Sequence, residues 1–139
     1  MRRFILTTFA LLPLLLLLAG CATQKRSDTL TSTLSAYAGT VRWGDFQNAA
    51  MFIEPKQRAD HPLTSLELAR FKQVRVSQYE EGSGPVPAGT NAVNQTVQIG
   101  LINVNTQSER TIVDHQVWHY DPVAQHWWLT SGLPDITQQ

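Results

Sequence analysis

The sequence predicts an α+β domain with helices on one face of an antiparallel meander sheet. Apolar residues recur at three- and four-residue spacing between Leu30 and Ile53, and beyond Phe71 the period changes to two. Breaks rich in Gly, Pro, Asn and Asp separate the alternating runs. The first helix is read from the stripe Leu30, Leu34, Ala38 and Val41, with Tyr37 alongside, and ends near Gly44. Asp45 caps a second, short helix through Phe46, Ala49, Ala50 and Phe52-Ile53, which Glu54-Pro55 stops. A polar connection follows, and Thr64-Ser65-Leu66-Glu67 has the form of a capping box ahead of a brief helical turn.

Residues 71–80 are rich in β-branched and aromatic side chains and predict the first strand. The run Glu81-Gly82-Ser83-Gly84-Pro85-Val86-Pro87-Ala88-Gly89 is predicted to be a loop that tolerates no strand. Residues 95–104 and 111–120 predict two longer strands joined through Asn105-Thr106-Gln107-Ser108. Asp121-Pro122 turns the chain into a fourth strand over 127–131. The domain spans 29–135, with 136–139 as a C-terminal tail.

Ahead of the domain, Met1-Arg2-Arg3 is followed by an apolar run from Phe9 to Leu18 and then Ala19-Gly20-Cys21. A charged start, a short apolar stretch and a small-residue end are the parts of a secretory signal peptide, and the run falls short of the roughly 20 residues of a transmembrane span. Leu18-Ala19-Gly20-Cys21 resembles the lipobox of bacterial lipoproteins, with residues 1–20 as the signal peptide and 21–28 as a polar lipidated tether. The resemblance implies that the Cys21 thiol receives a diacylglycerol, that the preceding peptide is removed and that the new amino terminus is acylated. Cys21 is the single cysteine of the chain, so it has no disulfide partner. Ala22 occupies the place where family members retained in the inner membrane carry Asp, which implies the periplasmic face of the outer membrane. Multiple acyl chains would make the anchor stable.

Beyond residue 20 the chain has nine Lys and Arg against eleven Asp and Glu. Nucleic-acid binding needs a basic face, which this balance does not supply. The helices followed by strands, ending in the aromatic hairpin Val117-Trp118-His119-Tyr120-Asp121 and Trp127-Trp128-Leu129, are similar to the nuclear transport factor 2-like fold over about residues 29–133. That resemblance implies a curved four-stranded sheet wrapped on a helix to form a cone with a pocket. It selects no chemistry, because the fold serves enzymes and inert adaptors alike. The segment from Trp127 to Pro134 also resembles the end of small uncharacterised lipoproteins.

Asp114 is the candidate carboxylate. On its strand Ile112, Asp114, Gln116, Trp118 and Tyr120 share one face, and Thr111, Val113, His115, Val117 and His119 share the other. If the first set lines the cone, burial would suit Asp114 to proton abstraction, with Tyr120 as a hydrogen-bond donor and Trp118 as a pocket wall. The structural alternative pairs Asp114 with Arg110 or a neighbouring strand. No metal is implied: His115 and His119 are roughly 13 to 14 Å apart along the strand, beyond the span of one ion. No cofactor is implied either, since the phosphate-binding and catalytic motifs are missing.

Adjacent Trp127 and Trp128 must point to opposite faces of the sheet, so one is core. The other, with Trp118 and Trp43 near it, offers a surface for a homodimer or an envelope partner. The resulting expectation is a lipid-anchored, periplasm-facing binding or assembly module that is not an enzyme. The alternatives are a small-molecule isomerase or dehydratase using Asp114, and a hydrophobic-ligand carrier using the cone.

Overall fold

The computed structural model describes the backbone of Arg2–Gln138 and side chains from Gly20 onward. Met1-Arg2-Arg3, the apolar run and Leu18-Ala19 of the predicted lipobox, all within the predicted signal-peptide segment 1–20, therefore lie outside the described side chains. Helix α1 spans Arg2–Arg42, and the chain divides into two compact units, Met1–Ser32 and Thr33–Gln139. Among the described residues no helix is long and apolar enough to cross a membrane.

In the first unit, residues 21–28, which the sequence reads as a polar tether, are helical. The helix surface supplies its own polar partners there: Gln24 Nε2 donates to Asp28 Oδ1 at 2.8 Å, and Thr29 Oγ1 to the Lys25 carbonyl at 2.7 Å. Both are contacts one turn apart, available to a polar sequence only once the backbone is helical.

The second unit is α+β, with helices packed on a curled antiparallel sheet. The last turns of α1 bury Leu34, Tyr37, Ala38 and Val41 of the stripe read from the sequence, while its first member, Leu30, is half-buried. The helix closes at Gly44, whose φ of 71° is left-handed. Gly44 N–H donates to the Val41 carbonyl at 2.8 Å and Asp45 N–H to Thr40 at 3.1 Å, a Schellman closure that satisfies two end carbonyls. Asp45 then caps α2 (Phe46–Ala49) by accepting from Asn48 N–H at 3.1 Å, and a 3₁₀ turn follows over Ala50–Phe52.

The second helical stretch ends at Phe52, ahead of Glu54-Pro55 as the sequence predicts, but Pro55 also begins a helix within the stretch read as a polar connection. It opens α3 (Pro55–Asp60) from the first helical position, where its missing N–H costs no hydrogen bond. Helix α4 (Ser65–Phe71) begins with the expected capping box, Thr64 and Glu67 each bonding the other's backbone N–H. Phe46 stacks on Phe71 with centroids 4.2 Å apart, which ties α2 to α4.

Strands β1 (Val74–Glu80), β3 (Ala92–Asn103), β4 (Glu109–Asp121) and β5 (His126–Leu129) pair in the order β1-β3-β4-β5. The predicted loop contains one correction: Val86–Pro87 form a two-residue strand, β2, against Asn94 and Val93 of β3. Pro87 fits because an edge position asks for no ladder donor from it. Between β1 and β3 the register shifts at Val76/Gln78, which leaves Ser77 as a bulge beside Gly100. A Cβ on Gly100 would lie 2.5 Å from Ser77 Oγ and 3.1 Å from Gln78 Cβ, so the close approach of the strands requires glycine. The concave face carries Val97, Ile99, Leu101, Ile112, Trp118, Trp127 and Leu129, each almost wholly buried. Tyr37 meets Trp118 edge-on at 5.2 Å and Phe52 at 5.5 Å, locking helix to sheet. Ile136 is also buried, so the packed unit extends past residue 135 into the predicted tail.

Candidate functional site

Ile112, Asp114, Gln116 and Trp118 share one face of β4, as the sequence predicts, and the structure turns that face inward. Asp114 is only 7% exposed, and its partner is Gln116 rather than Arg110. The Gln116 amide joins three groups: Nε2 donates to Asp114 Oδ2 at 2.8 Å and to Tyr79 Oη at 3.0 Å, while Oε1 accepts from Trp118 Nε1 at 3.2 Å. All the donor hydrogens of that amide are used. Arg42 sits over the Tyr79 ring, 5.4 Å from its centroid, and donates to the Tyr79 carbonyl at 3.2 Å.

Burial pushes the Asp114 carboxyl above the usual carboxylate range, opposed by the Gln116 hydrogen bond and the neighbouring His115. Desolvation pushes the Tyr79 phenol up to about 12 and the Tyr37 phenol well above its ordinary value, with the charge of Asp114 adding to both. Tyr37 Oη and Gln95 Oε1 are buried without a hydrogen-bond partner, and Gln95 stands directly across from Gln116 on β3.

Tyr120 is not part of this cluster. It lies six residues along an extended strand from Asp114, roughly 20 Å away, and its ring leans on Trp127 at 5.1 Å. The phenols near Asp114 are instead Tyr37 of α1 and Tyr79, the latter brought in by the β1–β3 pairing, which intrastrand alternation could not reveal. Trp118 and Trp127 are 0% and 2% exposed and form core, so neither serves as a binding surface. Trp128 is half-buried on the opposite face, its ring 4.1 Å from that of His126. Trp43, at the end of α1, is 90% exposed. His115 is engaged by Thr96 Oγ1 at 3.2 Å, and no group of three potential metal ligands occurs among the described residues. Cys21 is exposed and unpaired.

Two cavities lie elsewhere. A cavity of about 320 Å³ runs between α3, α4 and the segment after β5, with Leu63, Phe71, Leu133, Pro134 and Ile136 as its apolar lining. A second, of about 180 Å³, is lined by Arg70, Gln73, Asn103 and Arg110, and shares Arg70, Ile136 and Thr137 with the first. Neither touches Asp114. Arg110 holds the segment in place by donating through Nη2 to the Ile136 carbonyl, and Val113 N–H donates to Gln138 Oε1 at 3.3 Å. The signal for this groove was the apolar sequence Leu133, Pro134 and Ile136 continuing beyond the last strand. Its walls come from segments some 70 residues apart, so no local spacing could assemble it. No family model matches this chain, and neither a curated protein nor a solved structure is significantly similar to it.

Proposed function

We propose that this chain is a lipid-anchored lipoprotein of the bacterial envelope, held through Cys21 at the periplasmic face of the outer membrane, whose folded domain binds and does not catalyse. The single observation supporting non-catalytic action is the enclosure of Asp114. A general base must come within hydrogen-bond reach of a substrate proton. Asp114 is held by Gln116 in a closed interior, and the two cavities described are lined by other residues. A nuclear transport factor 2-like cone filled by Tyr37, Trp118 and Trp127 in this way is a scaffold, and the groove beside α4 is where the domain offers a concave surface.

Two experiments test the reading. Cells expressing the full chain and fed alkyne-palmitate should yield a labelled protein in the outer-membrane fraction, with label and membrane association both lost in Cys21→Ser. Unlabelled wild-type protein would refute the anchor. A photocrosslinking amino acid at Leu133 should form a discrete adduct in cells, whereas one at exposed Val123 should not; equal or no adducts would refute binding through the groove.

A second reading has its own observation. On the outward face of β4, Val113 and Val117 are each more than a third exposed, on the same face of the sheet as Trp128. Such a face suits a second copy of the chain or an envelope partner.

A further inference from the structure

We infer that the two cavities, whose linings share Arg70, Ile136 and Thr137, form one site for a single-chain anionic amphiphile, its apolar chain in the larger cavity and its carboxylate between Arg70 and Arg110. This deepens the binding reading above and rests on it. The argument begins with charge. The smaller cavity is lined by two guanidinium groups and no carboxylate. Arg110 uses Nη2 on the Ile136 carbonyl, but its Nε is buried without a hydrogen-bond partner. That Nε has no accessible surface and lies out of a ligand's reach, but the guanidinium keeps its charge at any physiological pH, and among the described residues neither Arg70 nor Arg110 is in an ion pair, so both charges are left for a bound anion. A carboxylate supplies two acceptor oxygens in the plane that guanidinium forks match.

The larger cavity has the complementary character. Leu63, Phe71, Leu133, Pro134 and Ile136 give it an apolar lining. Two carboxylates also reach it, Glu67 and Asp135, and both have oxygens committed to the chain itself. Glu67 Oε2 accepts from the Thr64 amide and hydroxyl at 2.8 and 2.7 Å, and Asp135 Oδ1 accepts from the Thr137 amide and hydroxyl at 2.9 and 2.6 Å. Those bonds hold both groups below the usual carboxylate range, hence charged. Arg70 lines both cavities and lies close enough to Glu67 to help lower its pKa, so the place for the head group is the smaller cavity, whose lining adds Arg110 and holds no carboxylate. A volume of about 320 Å³ is about twice the ~150 Å³ cavity that accepts benzene. It accommodates one medium-length chain and is too small for a diacyl lipid.

The test uses membranes carrying the full chain, a diazirine-bearing decanoate and the matching diazirine alcohol, with adducts mapped by peptide mass spectrometry. The carboxylate probe is expected to label peptides containing Leu63, Phe71 or Leu133, with competition by unlabelled decanoate. Arg70→Gln should reduce that labelling about tenfold, given the strength of a charge-assisted hydrogen bond, and Arg70→Lys should retain more of it. Arg70 is exposed on the last turn of α4, so its replacement leaves the core untouched. The alcohol should label weakly and be indifferent to residue 70. Equal labelling by acid and alcohol, or full labelling of Arg70→Gln, would overturn the inference. So would no groove labelling by decanoate while a crosslinker at Leu133 still forms its adduct, a result that removes the ligand class and leaves the binding reading intact.

Discussion

Gln116 and Asp114, two residues apart on β4 and facing the same way, form a 2.8 Å hydrogen bond in the closed interior of the sheet. Ordinary alternation makes them neighbours, and the strand holds the amide against the carboxylate. The same amide reaches Tyr79 and Trp118, so one side chain satisfies polar groups on two strands. A buried network of this kind is stable only when complete.

The first prediction concerns pH. The folded-state pKa of Asp114 is raised, so between the ordinary carboxylate value and that raised value the folded chain binds more protons than the unfolded one. Stability from this group is therefore greatest below the unfolded pKa and is lost as pH rises through the folded pKa. Asp114→Asn keeps an acceptor for Gln116 and removes the ionisation. Its Tm relative to wild type should climb as pH is raised from acidic to neutral; a difference that stays constant with pH would contradict the burial of a titrating carboxyl.

Loss of the amide should be costly. Gln116→Leu leaves Asp114, Tyr79 and Trp118 each short of a partner, and about 3 kcal/mol of unfolding free energy should disappear in urea titrations. Adding Asp114→Leu should recover part of it, because one stranded buried group is then gone.

At the bulge, Gly100→Ala should destabilise by about 1–3 kcal/mol, since the new methyl meets Ser77 and the Gln78 backbone. Chemical denaturation of the double variant with Ser77→Gly should show partial rescue. An unchanged midpoint in the single variant would mean that the strands separate freely there.

The adjacent tryptophans provide a direct comparison. Trp127→Ala should cost about 3–5 kcal/mol as a core truncation, and Trp128→Ala, on the half-exposed face, should cost much less. Similar losses in thermal melts would place both rings in the core.

For the sheet face, sedimentation should report self-association of the full chain that Val117→Lys abolishes, because a charge would replace one of the two exposed valines of β4 on that face. A wild-type monomer would exclude this surface as a dimer contact.

Much of the fold was legible because its signals are local. The stripe from Leu34 to Val41, the Thr64–Glu67 box and the alternation of β4 each arise within a few residues. What escaped prediction has a common cause. Pro55 opens a helix only because the backbone ahead of it is extended at Glu54, and the Val86–Pro87 strand exists only because β3 has a free edge to receive it. Both depend on neighbours that a short window does not contain.

By itself the sequence determined the α+β class, which residues of β4 share a face and the opposed faces of Trp127 and Trp128. Each follows from backbone periodicity, which residue order alone expresses. The tertiary structure decided which phenols approach Asp114, since that depends on the pairing of β1 with β3 and on the packing of α1 against the sheet. It also brought Arg70 on α4, Arg110 on β4 and Ile136 near the C-terminus around one opening. Contacts between distant segments are set by strand register and by how the core closes. Spacing along the chain carries no record of either.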